Sequence, residues 1–308
     1  MTNGAGRIGV DVPAAGAGRF APSPTGPLHL GNLRTAVLAW LFARSSGRRF
    51  LLRMEDLDQQ RVRPGLAAQQ EADLAALGVT FDDHPVVQSE RFDRYAVALD
   101  QLQDVVYECF CSRREIAEAA SAPHDGVQRY PGTCRELTLA QRSERRHRRT
   151  PALRLRAGGV TKTVHDGLHG EVTGVVDDLV LRRSDGVVAY HLAVVVDDAA
   201  MGVDQVVRGN DLLTSAPGQA YLAALLGYPT SSYAHVPLAV NAAGARLAKR
   251  DGAVTLSDLA ARGVGVDQVR SLLAASLGLA EPGEPVTLGT LLDRFDPLQL
   301  PRSPWVVQ

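Results

Sequence analysis

The residues best suited to chemistry lie between Arg19 and Asn32, in the stretch RFAPSPTGPLHLGN. Its three prolines and two glycines cannot continue a helix, so the chain must arrive extended and then turn. From Leu33 onward apolar residues recur at helical spacing, which predicts a helix that begins between His29 and Asn32. The first N–H groups of that helix would lack internal partners, Gly31 would let a ligand approach the backbone, and His29 would add a donor. The pattern predicts a phosphate-binding turn between a strand and a helix.

A second group of candidate residues follows the segment Arg48–Met54, whose apolar residues predict a strand. Glu55, Asp56 and Asp58 come directly after it. Open α/β sheets bind ligands at the carboxyl ends of their strands, so these carboxylates are candidate ligand-binding groups. A solvated acidic turn would have the same composition, and the residues alone leave both interpretations open.

All three cysteines of the chain, Cys109, Cys111 and Cys134, fall within one short stretch. Clustered thiolates are typical of a zinc site, although buried cysteines also serve as small apolar residues. A structural zinc site needs four ligands, and His124 or His147 could complete this one.

The composition limits the classes of function. The 308 residues carry 33 basic and 34 acidic side chains, so nucleic-acid contacts must come from local patches. Arginines in residues 142–149 form either a solvated helix end or a surface for RNA phosphates. No run approaches the roughly 18 apolar residues of a membrane span. Residues 1–18 are predicted to be a flexible leader unlike a secretory signal, so we expect a cytoplasmic protein with reduced cysteines and no membrane contact.

The rest of the chain predicts a sheet with an insertion. Residues 64–79 and 90–107 have the periodicity of amphipathic helices, and short alternating segments over 152–183 predict a small β-rich insertion. The apolar run 187–198 suits either a buried strand or a core helix. Further helices are expected near 255–262, 266–278 and 286–295.

Several of these strings together resemble the class I aminoacyl-tRNA synthetases, in the form carried by glutamyl- and glutaminyl-type enzymes. The turn matches RFAPSPTGxLHxGN, their version of the HIGH signature, and the acidic stretch matches LRxEDxDxxR. Residues 190–212 match the family string YHLAxVVDDxxMGVxxVxRGxDL. The segment 241–251 stands where the KMSKS signature belongs and retains only Lys249 outright. The signature's first Lys and its two Ser are replaced by Arg246, Ala248 and Arg250.

The resemblance implies a set of functional residues. The glutamate site would be formed by Arg19, Phe20, Ala21, Pro22, Ser23, Glu55, Tyr190 and Arg208. In it, Glu55 would hold the substrate ammonium and Arg208 would pair with a carboxylate through its planar fork. ATP, accompanied by Mg2+, would bind at His29, Gly31, Asn32 and Lys249. His29 and Lys249 would be the catalytic residues, because they would stabilise charge on the transferring phosphoryl group.

Two further features resemble the short glutamyl-queuosine branch of this family. Ordinary glutamyl-tRNA synthetases usually carry Asn four residues after the pocket tyrosine, whereas this chain has Val194, which implies weaker amino-acid binding. The branch also has a C-x-C…Y-x-x-x-C knuckle. It implies one structural zinc ion held by Cys109, Cys111, Tyr130 and Cys134.

The implied fold class is α/β: a Rossmann-like parallel sheet, an inserted zinc-knuckle subdomain of the acceptor-binding type and a short helical C-terminal region. We expect the following division: 1–18 leader, 19–106 and 187–240 the two halves of the catalytic domain, 107–186 the insertion, and 241–308 the KMSKS-like loop and C-terminal helices, without an anticodon-binding domain.

The resemblance implies that the chain, as a monomer, activates L-glutamate with ATP and transfers it to queuosine at the wobble position of tRNA(Asp), whose anticodon stem-loop it would bind. One alternative is a shortened glutamyl-tRNA synthetase that charges a tRNA 3′ end, which Val194 argues against. The other is a non-catalytic class I-like RNA-binding domain, which the altered loop at 246–250 favours.

Overall fold

The predicted unit of strand, turn and helix is present at the start of the structure. The computed structural model describes residues 16–112, 114–116, 130–245, 247 and 254–307. Strand β1 (Ala17–Phe20) leads through the turn into helix α1 (Leu30–Ser45), and β2 (Arg49–Met54) then lies parallel to β1. Because β1 starts at Ala17, the last two residues assigned to the leader belong to the sheet; residues 1–15 lie outside the described part of the chain.

A seven-stranded sheet forms the centre of the fold. Besides β1 and β2 it contains β3 (Val86–Val87), β6 (Thr161–Asp166), β7 (Gly170–Val175), β9 (Val203–Gly209) and β10 (Ser232–Val236). The strand order is β3-β2-β1-β9-β10-β6-β7. Every pairing in it is parallel except the hairpin of β6 and β7. The predicted α/β class with a mostly parallel sheet is therefore confirmed.

Helices cover this sheet. They are α2 (Leu66–Ala76), α3 (Phe92–Gln101), α5 (Tyr190–Ala200) and α6 (Ala216–Leu225), whereas α4 (Leu139–Arg146) contacts residues near the cysteines through Arg145 and Arg146. The ambiguous apolar run 187–198 resolves as α5, with every residue from Leu192 to Asp198 buried. A helix that is apolar on all sides belongs in a core, and α5 packs between α3, α6 and the sheet.

A small antiparallel sheet carries Cys109 at the end of one strand. It contains β4 (Val106–Cys109), β5 (Ala152–Leu155) and β8 (Val180–Arg182). The expected insertion 107–186 is not one separate unit, because β6 and β7 within it extend the main sheet beside β10. Asp166 at the end of β6 accepts a hydrogen bond from the backbone N–H of His235 in β10, which ties the hairpin to the main sheet.

The C-terminal part adds α7 (Leu256–Ala261), α8 (Val266–Ser276) and α9 (Leu288–Arg294) near the predicted positions. Two short strands, β11 (Ala239–Val240) and β12 (Trp305–Val306), pair in parallel and return the end of the chain to the domain. The apolar side chains of α8 and α9 join the same core as α1. Across the residues that the structure describes, no helix combines the length and apolar character needed to cross a membrane.

Arg34 of α1 links three parts of this core although it is almost completely buried. Its guanidinium donates to the carbonyl of Pro237 at 2.8 Å, to Ser276 Oγ at 3.1 Å and to the Ser276 carbonyl at 3.3 Å. Burial lowers the pKa of Arg34 to about 10, which leaves the side chain charged at neutral pH.

We expect Arg34→Met to lower the free energy of unfolding by about 3 kcal/mol, because buried acceptors lose charged donors. Denaturant unfolding at pH 7 measures the change. Arg148→Met, which removes only an exposed pair with Glu144, is the matched control and should leave stability unaltered. Equal stability of both variants would show that the bonds of Arg34 contribute nothing.

Candidate active site

A polar cavity of about 420 Å3 opens at the carboxyl ends of β1, β2 and β9. Its lining includes predicted residues from both halves of the sheet: Arg19, Phe20, Ala21, Ser23, His29, Gly31, Asn32, Glu55, Tyr190 and Arg208. Pro22 is not part of the lining; its carbonyl accepts a hydrogen bond from the N–H of Glu55 at 2.9 Å. The structure thus brings together residues separated by almost 190 positions, at the sheet edge where α/β proteins bind ligands.

A buried ion cluster fixes two of the charged lining residues. Asp198 Oδ1 accepts hydrogen bonds from Arg19 Nε at 3.2 Å and from Arg53 Nη1 at 2.6 Å. Arg53 also donates from Nη2 to Glu55 Oε1 at 3.1 Å and is completely buried. Burial alone would raise the pKa of Asp198, but Arg19 and Arg53 outweigh it and hold that pKa below its ordinary value. Asp198 is therefore an anion that orients both guanidinium groups.

Arg53 and Asp198 are not among the predicted site residues, although both stand inside the recognised strings. The signal that could have found them is a charged residue within an otherwise apolar, buried stretch. Charged side chains are rarely fully buried unless they are paired, so such a residue indicates a buried partner. Burial also raises the pKa of Glu55, against the opposing effect of Arg53 and Arg19. A cation in the cavity would favour the ionised form of Glu55.

Arg208 extends from β9 into the same cavity and is held by several acceptors. Its Nη1 donates to Gln219 Oε1 at 2.8 Å and to the Tyr190 hydroxyl at 3.4 Å. Its Nη2 donates to the carbonyl of Leu212 at 3.3 Å. Gln219 also donates from Nε2 to His191 Nδ1 at 3.4 Å, so one amide links Arg208 to the ring beside Tyr190. Gln219, like Arg53, was missed by the sequence analysis.

His29 is the N-cap of α1 and forms a capping box with Asn32. Its Nδ1 accepts from the N–H groups of Gly31 and Asn32 at 3.1 and 3.3 Å, while the N–H of Leu30 donates to the carbonyl of Val254 at 3.0 Å. These N–H groups have no acceptor among the helix carbonyls, as expected, but the cap and Val254 accept from them, so the expectation that they point at a ligand is wrong for this structure. What remains for an anion is the positive end of the α1 dipole and the imidazole itself.

Gly31 has a packing role that the sequence did not indicate. A Cβ atom built there would lie 3.0 Å from the His29 ring and 3.2 Å from Ala239 Cβ. A side chain at this position would displace the imidazole, so the glycine keeps His29 in place as well as leaving space in the cavity.

Described residues on both sides of the KMSKS-like segment lie beside the cavity or the turn before α1. Leu238 and Ala239 line the cavity before the segment, and Thr255 after it forms an isolated β-bridge with His29. These flanking residues therefore lie close to the N-terminus of α1. Lys249 itself, with Arg246, Ala248 and Arg250, lies outside the described residues.

The four residues predicted as zinc ligands lie together. The Sγ atoms of Cys109, Cys111 and Cys134 all lie within 4.8 Å of one another, with 3.5 Å between Cys111 and Cys134. The Tyr130 hydroxyl lies 3.3 Å from Cys109 Sγ and 3.7 Å from Cys111 Sγ. Among the residues that the structure describes no histidine joins the group; His124 falls outside that part of the chain.

The basic segment 142–149 mainly supports this cluster. Arg145 contacts Cys134 Sγ at 3.6 Å, Arg146 pairs with Glu108, and Arg149 donates to the carbonyl of Phe110 at 2.7 Å. These contacts give the segment a structural role, while Arg146, Arg148 and Arg149 keep exposed guanidinium groups, so contact with RNA phosphates stays a prediction.

A second cavity, of about 550 Å3, lies between the first cavity and the cysteine cluster. Ser23, Glu55 and Tyr190 line both cavities, and Cys111 and Ser112 form the far wall of the second. A large group that enters the second cavity would therefore reach the carboxylate and the tyrosine of the first.

Comparison with known proteins identifies the family of the chain. A family described as tRNA synthetases class I (E and Q), catalytic domain, matches residues 17–278. That range includes the sheet, both cavities and the cysteine cluster. The chain therefore belongs to the class I aminoacyl-tRNA synthetases of the glutamyl and glutaminyl type, a family of ligases.

Within this family, the curated relatives that the chain resembles carry the name Glutamyl-Q tRNA(Asp) synthetase. It is 60% identical over 295 residues to the one from Nocardia farcinica, which covers 95% of this chain and 93% of the relative. It is 54% identical over 272 residues to the one from Cutibacterium acnes, covering 87% and 78%. The solved glutamate tRNA ligase of Elizabethkingia meningosepticum, in complex with its amino acid, superposes with a TM-score of 0.79 at 26% identity, covering 95% of this chain and 67% of that one.

The histidine beside the cavity provides a pH test of the site. Burial, with a smaller effect of Arg208, lowers the pKa of His191 to about 4. An unfolded chain has a histidine pKa near about 6.5, so between these two values only the unfolded chain binds the proton. Acidification therefore favours unfolding. Between pH 7 and pH 5 the burial of His191 should lower the free energy of unfolding by about 2 kcal/mol.

We expect His191→Gln to remove that part of the pH dependence, which denaturant unfolding at pH 7 and pH 5 measures. His165→Gln, on the exposed side of β6, is the matched control and should keep the wild-type pH dependence. If the free energy of unfolding of His191→Gln falls between pH 7 and pH 5 as much as that of the wild type, His191 is not buried as a neutral ring.

Proposed function

We propose that the chain activates L-glutamate with ATP and transfers the glutamyl group to queuosine at the wobble position of tRNA(Asp). One observation carries the proposal: the charged cavity shares Glu55 and Tyr190 with a second cavity that is large enough for a modified nucleobase. The 60% identity to the Nocardia farcinica Glutamyl-Q tRNA(Asp) synthetase supports the choice of this acceptor.

In the proposed complex the first cavity binds glutamate. Glu55 pairs with the ammonium, and the guanidinium groups of Arg19 and Arg208 pair with the carboxylates. Tyr190, at the N-terminus of α5, borders the amino acid on the side of the second cavity. The cluster of Arg53 and Asp198 keeps these groups oriented before glutamate arrives, which lowers the cost of binding.

Activation needs no protein nucleophile. A carboxylate oxygen of glutamate attacks the α-phosphorus of ATP, the new P–O bond forms, and the bond to the β-phosphate breaks with release of pyrophosphate. His29 and the positive end of α1 face the developing negative charge, and the proposal gives Lys249 the same role from the adjacent segment. Mg2+ would enter with ATP and neutralise phosphate charge.

Transfer would use the second cavity. A hydroxyl of the queuosine ring attacks the carbonyl carbon of the glutamyl-adenylate, an ester bond forms, and AMP leaves as the mixed anhydride bond breaks. The hydroxyl proton passes to the departing phosphate. Because the two cavities share a wall, the acceptor can approach from the cysteine-cluster side while the adenylate stays in the first cavity.

The decisive test is transfer of labelled glutamate, with ATP, to two tRNA(Asp) samples that differ only in queuosine or guanosine at the wobble position. We expect label on the queuosine sample alone.

Glu55→Gln should lose at least about 100-fold in the rate of this transfer, because the substrate ammonium loses its counter-charge. Exposed Glu144→Gln is the control and should match the wild type.

A sample of tRNA(Glu) in the same assay tests the second candidate function, charging of a 3′ end, which the fold shared with a glutamate tRNA ligase favours. Label on tRNA(Glu) would show that the acceptor is the 3′ end of that tRNA and not queuosine. No label on any tRNA, together with no glutamate-dependent exchange of pyrophosphate into ATP, would favour a non-catalytic domain.

We also propose that the cysteine cluster holds one structural zinc ion. In a tetrahedral site with Zn–S bonds of about 2.3 Å, the sulfur atoms lie about 3.8 Å apart. The observed 3.5 Å between Cys111 and Cys134 fits that geometry, and the Tyr130 oxygen is close enough to two sulfurs to be the fourth ligand. A bound ion would stabilise the thiolates and hold β4 to the turn that carries Cys134.

We expect Cys109→Ser to lose zinc and thermal stability together, with a fall in melting temperature of about 10 °C. Metal content per chain and thermal unfolding are the two measurements. Thr133→Ala, beside Cys134 but exposed, should keep both values. Purified wild-type protein that contains no zinc after expression in zinc-supplemented medium would contradict the assignment.

A further inference from the structure

Three buried polar residues stand side by side on adjacent strands of the main sheet. Arg208 of β9 and His235 of β10 are direct partners in the parallel pairing, and Asp166 ends β6 on the other side of β10. His235 has no solvent exposure, and Asp166 has almost none. The row starts at the hairpin edge of the sheet and ends at the polar cavity, which Arg208 lines.

The hydrogen bonds in this row run in one direction. Arg208 Nε can only donate, and it lies 3.0 Å from His235 Nε2, so that ring nitrogen is the acceptor. The proton of the neutral ring is therefore on Nδ1, which donates to Asp166 Oδ2 at 2.6 Å. Asp166 is fixed in turn by the N–H groups of Leu168, His169 and His235. The backbone N–H groups thus fix the position of the Asp166 carboxylate, and this carboxylate keeps the ring proton of His235 on Nδ1. The lone pair on Nε2 is therefore available to accept from Arg208.

The charges around the ring favour this neutral form. Burial lowers the pKa of His235 and Arg208 adds to that effect, which together outweigh the opposing influence of Asp166. Burial would raise the pKa of Asp166, but the bond from His235 and the backbone N–H groups lower it to about 2. At neutral pH the row is an anion, a neutral imidazole and a cation, and the lone pair on Nε2 stays available.

We propose that His235, held by Asp166, is a positioning residue that aims the guanidinium of Arg208 at a carboxylate of glutamate. The inference rests on the proposed glutamate site and adds two residues that do not touch the substrate. The Nε bond fixes the plane of the guanidinium, and Gln219 and Leu212 hold its Nη atoms, so the group reaches the cavity in one orientation. A charged N–H of a guanidinium binds a carboxylate well only when the plane of the group sets its direction.

Two amide substitutions separate this role from simple packing. His235→Gln can place an oxygen where Nε2 accepts, whereas His235→Asn reaches only the Nδ1 position and leaves Arg208 without this acceptor. We expect His235→Asn to raise the KM for glutamate about tenfold in pyrophosphate exchange, with kcat and the KM for ATP within about threefold. His235→Gln should keep the KM for glutamate within about threefold of wild type. His165→Asn, exposed on β6, is the control.

His235→Phe keeps a ring stacked on Tyr233 and lacks any acceptor, so it should repeat the His235→Asn result if that variant does not fold. Equal effects of the Gln and Asn variants, or a KM for glutamate that does not change without the acceptor, would overturn the inference. If the wild-type chain shows no glutamate-dependent exchange of pyrophosphate into ATP, both the proposed function and this inference are rejected.

Discussion

The site depends on two adjacent carboxylates of α5 that are buried and face different parts of the first half of the chain. Asp198 binds Arg19 of β1 and Arg53 of β2. Asp197 accepts hydrogen bonds from Gln88, Arg91 and Tyr95, which lie between β3 and the first turns of α3. Removing a partner would leave a buried charge with fewer compensating bonds, which is more costly than losing an exposed pair. One helix of the second half is therefore locked onto three elements of the first.

This attachment explains how residues so distant in the chain form one cavity. Tyr190 begins α5 about two turns before Asp198, so fixing the carboxylates also fixes the tyrosine over Glu55. On the opposite side, the N-terminus of α1 is closed by pairing between His29 and Thr255. The cavity thus lies between contacts that join early and late segments on both sides, and its shape is set before any ligand binds.

Much of this architecture could be predicted from the sequence, because its signals are local. The turn before α1 follows from its prolines and glycines, and the cysteine cluster follows from spacing. The run 187–198 could not be assigned, because a segment buried on every side has no periodicity that separates strand from helix. The hairpin of β6 and β7 was placed in the insertion, because its position beside β10 depends on Asp166, which is far from β10 in the chain.

The same distinction applies within the site. Residues that line the cavity stand in recognisable strings, whereas Gln219 and His235 act through other side chains and have no local signal. Arg53 stands inside such a string, but its role depends on Asp198, which is 145 positions away. Arg53 and Asp198 neutralise each other behind the cavity, whose wall carries two guanidinium groups, Arg19 and Arg208, and two carboxylates, Glu55 and Asp211. A ligand with two carboxylates and one ammonium can therefore pair each of its charges with a group of opposite charge on that wall. Because burial raises the pKa of Glu55, an arriving ammonium would also draw the carboxyl into its ionised form, so the ligand completes the charge pattern that recognises it.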